Sequence, residues 1–261
     1  MIGGVHVRDA ARTARQVGST ALARRARGYP DPGFARDGYA VREAFLDPAA
    51  ATAIRADLDR YADRAVTRTG VPGTILRDRA KRQSRDLNVR QLVGAERLSA
   101  GIDELTRSGR IEATIRALTG LRLTLGAMTV QIDWPDTETK RGLHVDSHWP
   151  PTYKAFVYLT PVTAPEYGPF SVVPGSHRHR VKKLKAIAGD LLAGRDHTDL
   201  DHEYDLADAR CLLGGPGTAI FADQRLAHAG WPGHTTGTRF MLVAYLYEPG
   251  VTPPKFLGRR Q

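Results

Sequence analysis

Cysteine is almost absent from this 261-residue chain, which contains a single one, Cys211. An intrachain disulfide and a zinc site of the Cys-x-x-Cys type are therefore excluded. Apolar runs are also short: none approaches the roughly 20 residues of a membrane-spanning helix, and residues 1–30 lack the apolar core of a signal peptide. We therefore expect a reducing, cytoplasmic location and no membrane partner.

Aromatic residues make up only 7% of the chain, whereas its formal net charge is +10. A basic chain can attract nucleic acid or anionic small molecules. The sharpest basic clusters, at 24–27, 178–185 and 259–260, are not interleaved with aromatic residues as a groove for single strands would be. Nucleic acid is therefore the less favoured partner, and the charge mildly favours an anionic or carrier-linked small-molecule substrate.

The chain changes texture along its length. Residues 1–33 contain an Ala/Arg-rich helical pattern and a Gly/Pro loop, which indicates a helical extension ahead of one domain at 34–261. Residues 47–120 are mainly helical in pattern, with a polar stretch at 68–86 that we interpret as a lid. From 121 to 250, short β-like segments and turns dominate. This order predicts an α+β fold whose strands form a sandwich or barrel.

Within this second part, alternation and β-branched residues predict five strands, with a helical insertion at 181–193. The predicted strands are 121–134, 153–160, 170–173, 218–222 and 238–247. The insertion and its flanks, 180–212, form a second candidate lid. Neither lid contains a motif that identifies a substrate.

A His-x-Asp pair, His144 and Asp146, is the first candidate for chemistry. Residues two apart in an extended strand point to the same face, so an imidazole and a carboxylate project into one space. With a second histidine from elsewhere they would form the two-histidine, one-carboxylate set that suits non-haem Fe(II).

Spacing alone is weak evidence, because random placement of nine histidines and 28 acidic residues gives about one such pair. A second pair does occur, at His197 and Asp199, within a polar run that is typical of a loop. His144 and Asp146 instead follow one predicted strand and precede another. We therefore favour that pair as ligands and interpret His197 and Asp199 as solvated surface residues.

His228 and Arg239 are the next candidates. His228 follows the predicted strand at 218–222, where functional residues often gather. Arg239 shares one face of its strand with apolar residues, and a buried guanidinium is costly unless it is paired. Because its own strand supplies no acid, the partner is either a carboxylate ligand bound through two hydrogen bonds or, for an arginine on an edge strand, water or an aspartate of a neighbouring strand.

Together these motifs resemble the phytanoyl-CoA dioxygenase (PhyH) family of Fe(II)- and 2-oxoglutarate-dependent oxygenases. The resemblance rests on the His-x-Asp pair, on segment 168–178 (GPFSVVPGSHR), and on His228 followed eleven residues later by Arg239. It covers about residues 34–250, with Tyr167 where the family usually has asparagine.

The resemblance implies a double-stranded β-helix, a jelly-roll of the cupin-like kind, with N-terminal and flanking helices. It implies that His144, Asp146 and His228 hold Fe(II). Arg239 would bind the distal carboxylate of 2-oxoglutarate, and Gln131 matches a position that often contacts this co-substrate.

The activity that the resemblance implies uses O₂ and 2-oxoglutarate to hydroxylate an unactivated C–H bond, with release of succinate and CO₂. Desaturation and cyclisation are variants of it, and a secondary metabolite is the expected substrate. The presence of Asp146 argues against halogenation. Two alternatives remain: a cupin-like protein that binds metal or ligand without oxygenase turnover, and an oxygenase that acts on nucleic acid.

Overall fold

The described part of the chain contains an α+β fold with a large antiparallel sheet. The structure is a computed structural model and describes residues 28–78, 89–135, 142–146, 152–194, 198–231 and 234–248. The helix predicted at 7–27 lies outside these residues, so the division at residue 33 stays a prediction. None of the helices in the described ranges combines the length and apolarity that crossing a membrane requires.

Five α-helices are present in the described residues. They are α1 (Pro32–Asp37), α2 (Pro48–Leu58), α3 (Ala100–Arg107), α4 (Arg110–Thr119) and α5 (Arg180–Ala193). Helix α2 begins as its sequence predicts, because the Asp47 carboxylate accepts hydrogen bonds from the backbone amides of Ala49 and Ala50. The helical insertion expected at 181–193 is confirmed by α5.

Ten strands lie in the described ranges and form two sheets there. They are β1 (Tyr39–Arg42), β2 (Ile75–Asp78), β3 (Val89–Val93), β4 (Thr124–Asp133), β5 (Tyr153–Tyr158), β6 (Phe170–Val172), β7 (Arg210–Leu212), β8 (Ala219–Asp223), β9 (His228–Gly230) and β10 (Arg239–Tyr247). The large sheet has the order β1-β8-β5-β10-β4-β3-β2, and the small sheet has the order β7-β6-β9. This pair of sheets agrees with the predicted jelly-roll.

The large sheet buries both of its faces. Its outer face packs against the helices in one apolar cluster, which includes Val130 and Leu242 from the sheet and Ile115 from α4. Its inner face packs against the small sheet in a second cluster, which includes Val243 and Phe170. Strand β10 lies between β4 and β5 and is buried along its whole length, as expected for a strand covered on both sides.

The helical interpretation of residues 47–120 is wrong in part, because β2 and β3 lie within it and pair antiparallel. Strand β2 also occupies part of the stretch at 68–86 that we interpreted as a lid. Strand β3 is hard to recognise from the sequence because two of its buried residues, Arg90 and Gln91, are polar. Arg90 is fully buried, where its guanidinium bonds the Asp78 carboxylate and the carbonyls of Tyr61 and Asp63. Its polar atoms are thus satisfied by partners remote in the sequence.

Candidate metal centre

The two histidines at the site are direct neighbours across a pair of extended segments. The backbone amide of His144 donates to the carbonyl of His228, and the amide of His228 donates to the carbonyl of His144, both at 2.9 Å. Such a reciprocal pair directs both side chains to the same side. The imidazole centroids are 4.4 Å apart. Residue 228 therefore begins β9 of the small sheet and does not lie in a loop after β8.

Asp146 completes the group. One carboxylate oxygen, Oδ1, is 3.8 Å from Nε2 of His144, and the other, Oδ2, is 3.8 Å from Nε2 of His228. The three possible ligand atoms lie within 4.8 Å of one another, and among the described residues this is the group of histidine and acidic side chains that could hold a metal ion. The structure thus brings together the three predicted ligands.

Backbone carbonyls set the orientation of both imidazoles. Nδ1 of His144 is 2.9 Å from the carbonyl oxygen of Gly142, and Nδ1 of His228 is 2.9 Å from that of Leu226. A carbonyl accepts, so each Nδ1 carries the proton and each Nε2 keeps its lone pair. Metal-binding histidines show this arrangement. Two neutral imidazoles and one carboxylate therefore fit Fe(II) chemically.

Lys154, on the inner face of β5, faces Asp146. Its ammonium nitrogen contacts Oδ2 of the carboxylate. Burial by itself would raise the pKa of Asp146, but the Lys154 ammonium opposes it, and that pKa is held well below its ordinary value. The carboxyl group is thus ionised, as a metal ligand must be.

Arg239 has a protein partner that its own strand could not reveal. Strands β10 and β4 place Arg239 opposite Asp133, and Nε and Nη2 donate to Oδ2 of Asp133 at 3.0 and 2.7 Å. Both side chains are buried. The alternative of an acid on a neighbouring strand is therefore present. Nη1 of Arg239 is also buried, yet it has no hydrogen-bond partner among the described residues.

Gln131 lies two residues from Asp133, on the same face of β4. Its side-chain amide donates to Oδ1 of Asp133 at 2.8 Å, so Asp133 accepts from Gln131 with one oxygen and from Arg239 with the other. The guanidinium and the amide are thereby held in one connected polar group on the inner face. This group offers an oriented cation with one unused donor, which is a suitable anchor for a carboxylate.

Aromatic rings pack on the inner face of the sheet beside the candidate metal ligand His228. Phe156 stacks on Phe170 with ring centroids 4.2 Å apart, and Phe170 lies 5.3 Å from the imidazole of His228. Tyr158 donates a hydrogen bond to the carbonyl of Leu212. These side chains belong to the inner apolar cluster and form an apolar surface beside the histidines.

The other His-x-Asp pair is only partly described, since His197 lies outside the described residues. The expectation that Asp199 is a solvated surface residue is wrong. Its backbone forms an antiparallel bridge with His144, and the side chain is half-buried. The flanking amides confirm the pairing, because Leu200 donates to the carbonyl of Leu143 at 2.7 Å. This segment therefore supports the metal strand from the side opposite β9.

Asp223, at the end of β8, supports the chain on the other side of His228. It is fully buried and accepts hydrogen bonds from the backbone amide and the guanidinium of Arg225. Tyr29 also donates to it, at 3.2 Å. Burial raises the pKa of Asp223, but Arg225 outweighs burial and keeps that pKa well below its ordinary value. This buried pair holds the turn that leads into β9.

Sequence reasoning did not identify the roles of two residues at the site, Asp133 and Lys154. Asp133 carried one usable signal, because it shares a strand face with Gln131 and therefore points toward the same space. Lys154 shares a strand face with Phe156, and a lysine is usually exposed to solvent. In the structure its side chain is only 13% exposed.

Comparisons with known proteins agree with this architecture. The family model described as phytanoyl-CoA dioxygenase (PhyH) matches residues 34–241. HygX from Streptomyces hygroscopicus, solved with nickel, 2-oxoglutarate and hygromycin B, is 18% identical over 84% of this chain and 86% of its own, with a TM-score of 0.59. No curated protein matches the chain.

Two enzymes of nogalamycin biosynthesis are also similar. The epimerase SnoN, in complex with Fe³⁺, alpha ketoglutarate and nogalamycin RO, is 16% identical over 94% of this chain and 93% of its own, with a TM-score of 0.57. The alpha ketoglutarate-dependent carbocyclase SnoK is 19% identical over 84% and 85%, with a TM-score of 0.56. At such identities these likenesses show the fold alone.

Proposed function

Because this chain belongs to the phytanoyl-CoA dioxygenase family, and is therefore a non-haem enzyme dependent on Fe(II), 2-oxoglutarate and O₂, we propose that it hydroxylates an unactivated C–H bond of a small molecule. Iron and 2-oxoglutarate supply the oxidising chemistry when bound, with release of succinate and CO₂. The protein binds both, orients them and excludes water.

His144, Asp146 and His228 are the proposed Fe(II) ligands. The observation that carries this assignment is the convergence of their ligand atoms within 4.8 Å of one another. The bond from each Nδ1 to a backbone carbonyl supports it, because it leaves Nε2 as the ligand atom. A set of three leaves positions on the metal for co-substrate and O₂.

Arg239 is the proposed anchor of the distal carboxylate of 2-oxoglutarate, and Gln131 is a proposed contact of the same co-substrate. Asp133 neutralises part of the guanidinium charge, but Nη1 finds no acceptor within the part of the chain that the structure describes. A buried donor without a partner costs about 1–3 kcal/mol, so a carboxylate oxygen at this point would relieve that cost. Asp133 and Gln131 then keep the guanidinium in one orientation.

The substrate is proposed to be a secondary metabolite. Support comes from the similar structures, since HygX holds hygromycin B and SnoN holds nogalamycin RO. The similar structures also include the epimerase SnoN and the carbocyclase SnoK. Stereochemical inversion and ring closure are therefore alternative outcomes for the same site. A cytoplasmic location and a domain at 34–261 remain parts of the proposal.

The first test is formation of the Fe(II)–2-oxoglutarate complex under nitrogen, followed by its visible charge-transfer band. We expect a band for the unaltered protein and none for His228→Ala. His202→Ala is the matched control, because it removes a half-exposed histidine that lies beside Asp190. Absence of the band from the unaltered protein, or its persistence in His228→Ala, would contradict the assigned ligands.

The second test compares 2-oxoglutarate with 2-oxovalerate, which lacks the distal carboxylate. A charge-assisted hydrogen bond contributes about 1.5–3 kcal/mol, so the unaltered protein should prefer 2-oxoglutarate by roughly 10- to 150-fold. Arg239→Met combined with Asp133→Asn removes the pair together and should bind the two compounds within a fewfold of each other. Retained discrimination in the double variant would exclude Arg239 as the anchor.

Succinate release in the presence of candidate metabolites then tests the reaction itself. Product with one added oxygen atom supports hydroxylation, whereas unchanged composition with altered stereochemistry supports epimerisation. Strong, salt-dependent retention on DNA or RNA would instead favour a nucleic-acid substrate.

A further inference from the structure

Lys154 occupies an unusual position for a lysine, because its ammonium faces the metal site from within the sheet. Strand β5 directs it to the inner face, opposite Tyr245 of β10. The ammonium nitrogen lies 4.8 Å from the ring centroid of Tyr245 and 5.8 Å from that of Phe156. Both rings restrict the stem, and cation–π attraction favours the charge between them. The lysine is therefore held in place rather than extended into solvent.

The contact of Lys154 with Asp146 is selective for one oxygen. The ammonium contacts Oδ2, which is the oxygen near Nε2 of His228. Oδ1 lies on the side of His144, whereas the hydrogen bond from Lys154 goes to Oδ2. The two oxygens of the carboxylate thus have different surroundings before any metal binds.

We propose that Lys154 is a positioning residue, which keeps Oδ2 of Asp146 off the metal so that the carboxylate binds through Oδ1 alone. The inference rests on the proposed function of the three ligands. It assigns to Lys154 a role that acts through Asp146.

This role of Lys154 determines how many positions would stay open on the metal. Two imidazoles and one carboxylate oxygen would leave open positions for the 2-oxo acid and for O₂. A carboxylate that bound through both oxygens would occupy one more of them. A cation that binds Oδ2 makes the one-oxygen mode the favoured one, because the charge-assisted hydrogen bond is lost when Oδ2 moves to the metal.

Charge balance supports the same assignment. Asp133 pairs with Arg239, and Asp146 pairs with Lys154. With a divalent metal and the dianionic co-substrate added, these charges sum to zero. Without Lys154 the site would carry one uncompensated negative charge in a half-buried environment, which is costly.

The test compares Lys154→Met, which keeps the length of the stem without its charge, with Lys154→Arg, which restores a cation. Lys185→Met is the matched control, because Lys185 is exposed on α5. Each protein is loaded with Fe(II) and 2-oxoglutarate under nitrogen and titrated with nitric oxide, a stable substitute for O₂. The readouts are metal content, the charge-transfer band and the electron paramagnetic resonance signal of the nitrosyl complex.

We expect Lys154→Met to bind metal at least as well as the unaltered protein, since a repelling charge is removed. Its affinity for nitric oxide should fall about tenfold or more, and Lys154→Arg should recover most of that loss. Undiminished nitric oxide binding by Lys154→Met would overturn the proposal, and so would loss of metal from it. A failure of the proposed function is distinguishable, because the unaltered protein would then form no charge-transfer complex.

Discussion

His177 provides a sharp test of how the structure controls stability, because it is buried in the Pro-Gly-Ser-His segment. Burial, which disfavours the charged imidazolium, lowers the pKa of His177 to about 4. Asp223 opposes this effect, whereas Arg225 and Lys183 add to it. The ring is closely packed on the side of Gly38, where an added Cβ would lie 2.5 Å from Nδ1 of His177 and 2.9 Å from Cδ2 of Leu226.

The depressed pKa predicts that acid destabilises the fold through this one ring. In the unfolded chain a histidine has a pKa near 6.5, so between pH 6.5 and 4 the unfolded state binds a proton that the folded state does not. Stability contributed by the neutral ring is therefore present above pH 6.5 and is lost as the pH falls. From pH 7.5 to 5.0 the loss amounts to about 2 kcal/mol.

The assay is urea unfolding of the metal-free protein at the two pH values, for the unaltered chain and for His177→Gln, which cannot titrate. The difference in unfolding free energy between pH 7.5 and 5.0 should be about 2 kcal/mol smaller in the variant. Metal-free protein is required because acid also protonates the metal ligands. Equal pH dependence of the two proteins, or an imidazole that titrates near pH 6.5 by NMR, would refute the reasoning.

Three further predictions concern the Asp223 ion pair, the close-packed Gly38 and stabilisation by bound metal. Asp223→Asn should lower the unfolding free energy by about 3–5 kcal/mol in urea, because it leaves the adjacent guanidinium buried without its carboxylate. Gly38→Ala should cost about 1–3 kcal/mol, since its φ is +81° and a Cβ would lie 2.5 Å from Nδ1 of His177; Gly109→Ala, with positive φ but open space, isolates the backbone part. Fe(II) at 100 times its dissociation constant should add about 2.7 kcal/mol to stability, with no such gain in His228→Ala.

Local sequence patterns predicted the features of this protein that depend on residues close together in the chain. The His144 and Asp146 side chains project together because of the two-residue period of an extended chain, which needs no tertiary information. The start of α2 followed from Asp47 and its proline, because a cap acts within one turn. His228 was predicted through a motif order, and its pairing with His144 agrees with that prediction.

Polar residues inside strands were harder to interpret. Strand β3 contains Arg90 and Gln91, and both are buried, although their types favour solvent. Lys154 is a further polar residue within a strand whose side chain is mostly buried. Arg90 is stabilised by Asp78 on another strand, and Lys154 is stabilised by Asp146. Such partners cannot be identified from the period of one strand.

The order and alternation of side chains along the chain predicted an α+β fold with a sandwich or barrel of strands, whereas the jelly-roll and the ligand set of His144, Asp146 and His228 were implied by the resemblance to a family. Tertiary structure alone decided that Asp133 meets Arg239 and that Lys154 meets Asp146. The physical reason is register: which residues lie opposite one another depends on how the whole sheet packs, and a slip of one residue would turn each of these charges to the other face.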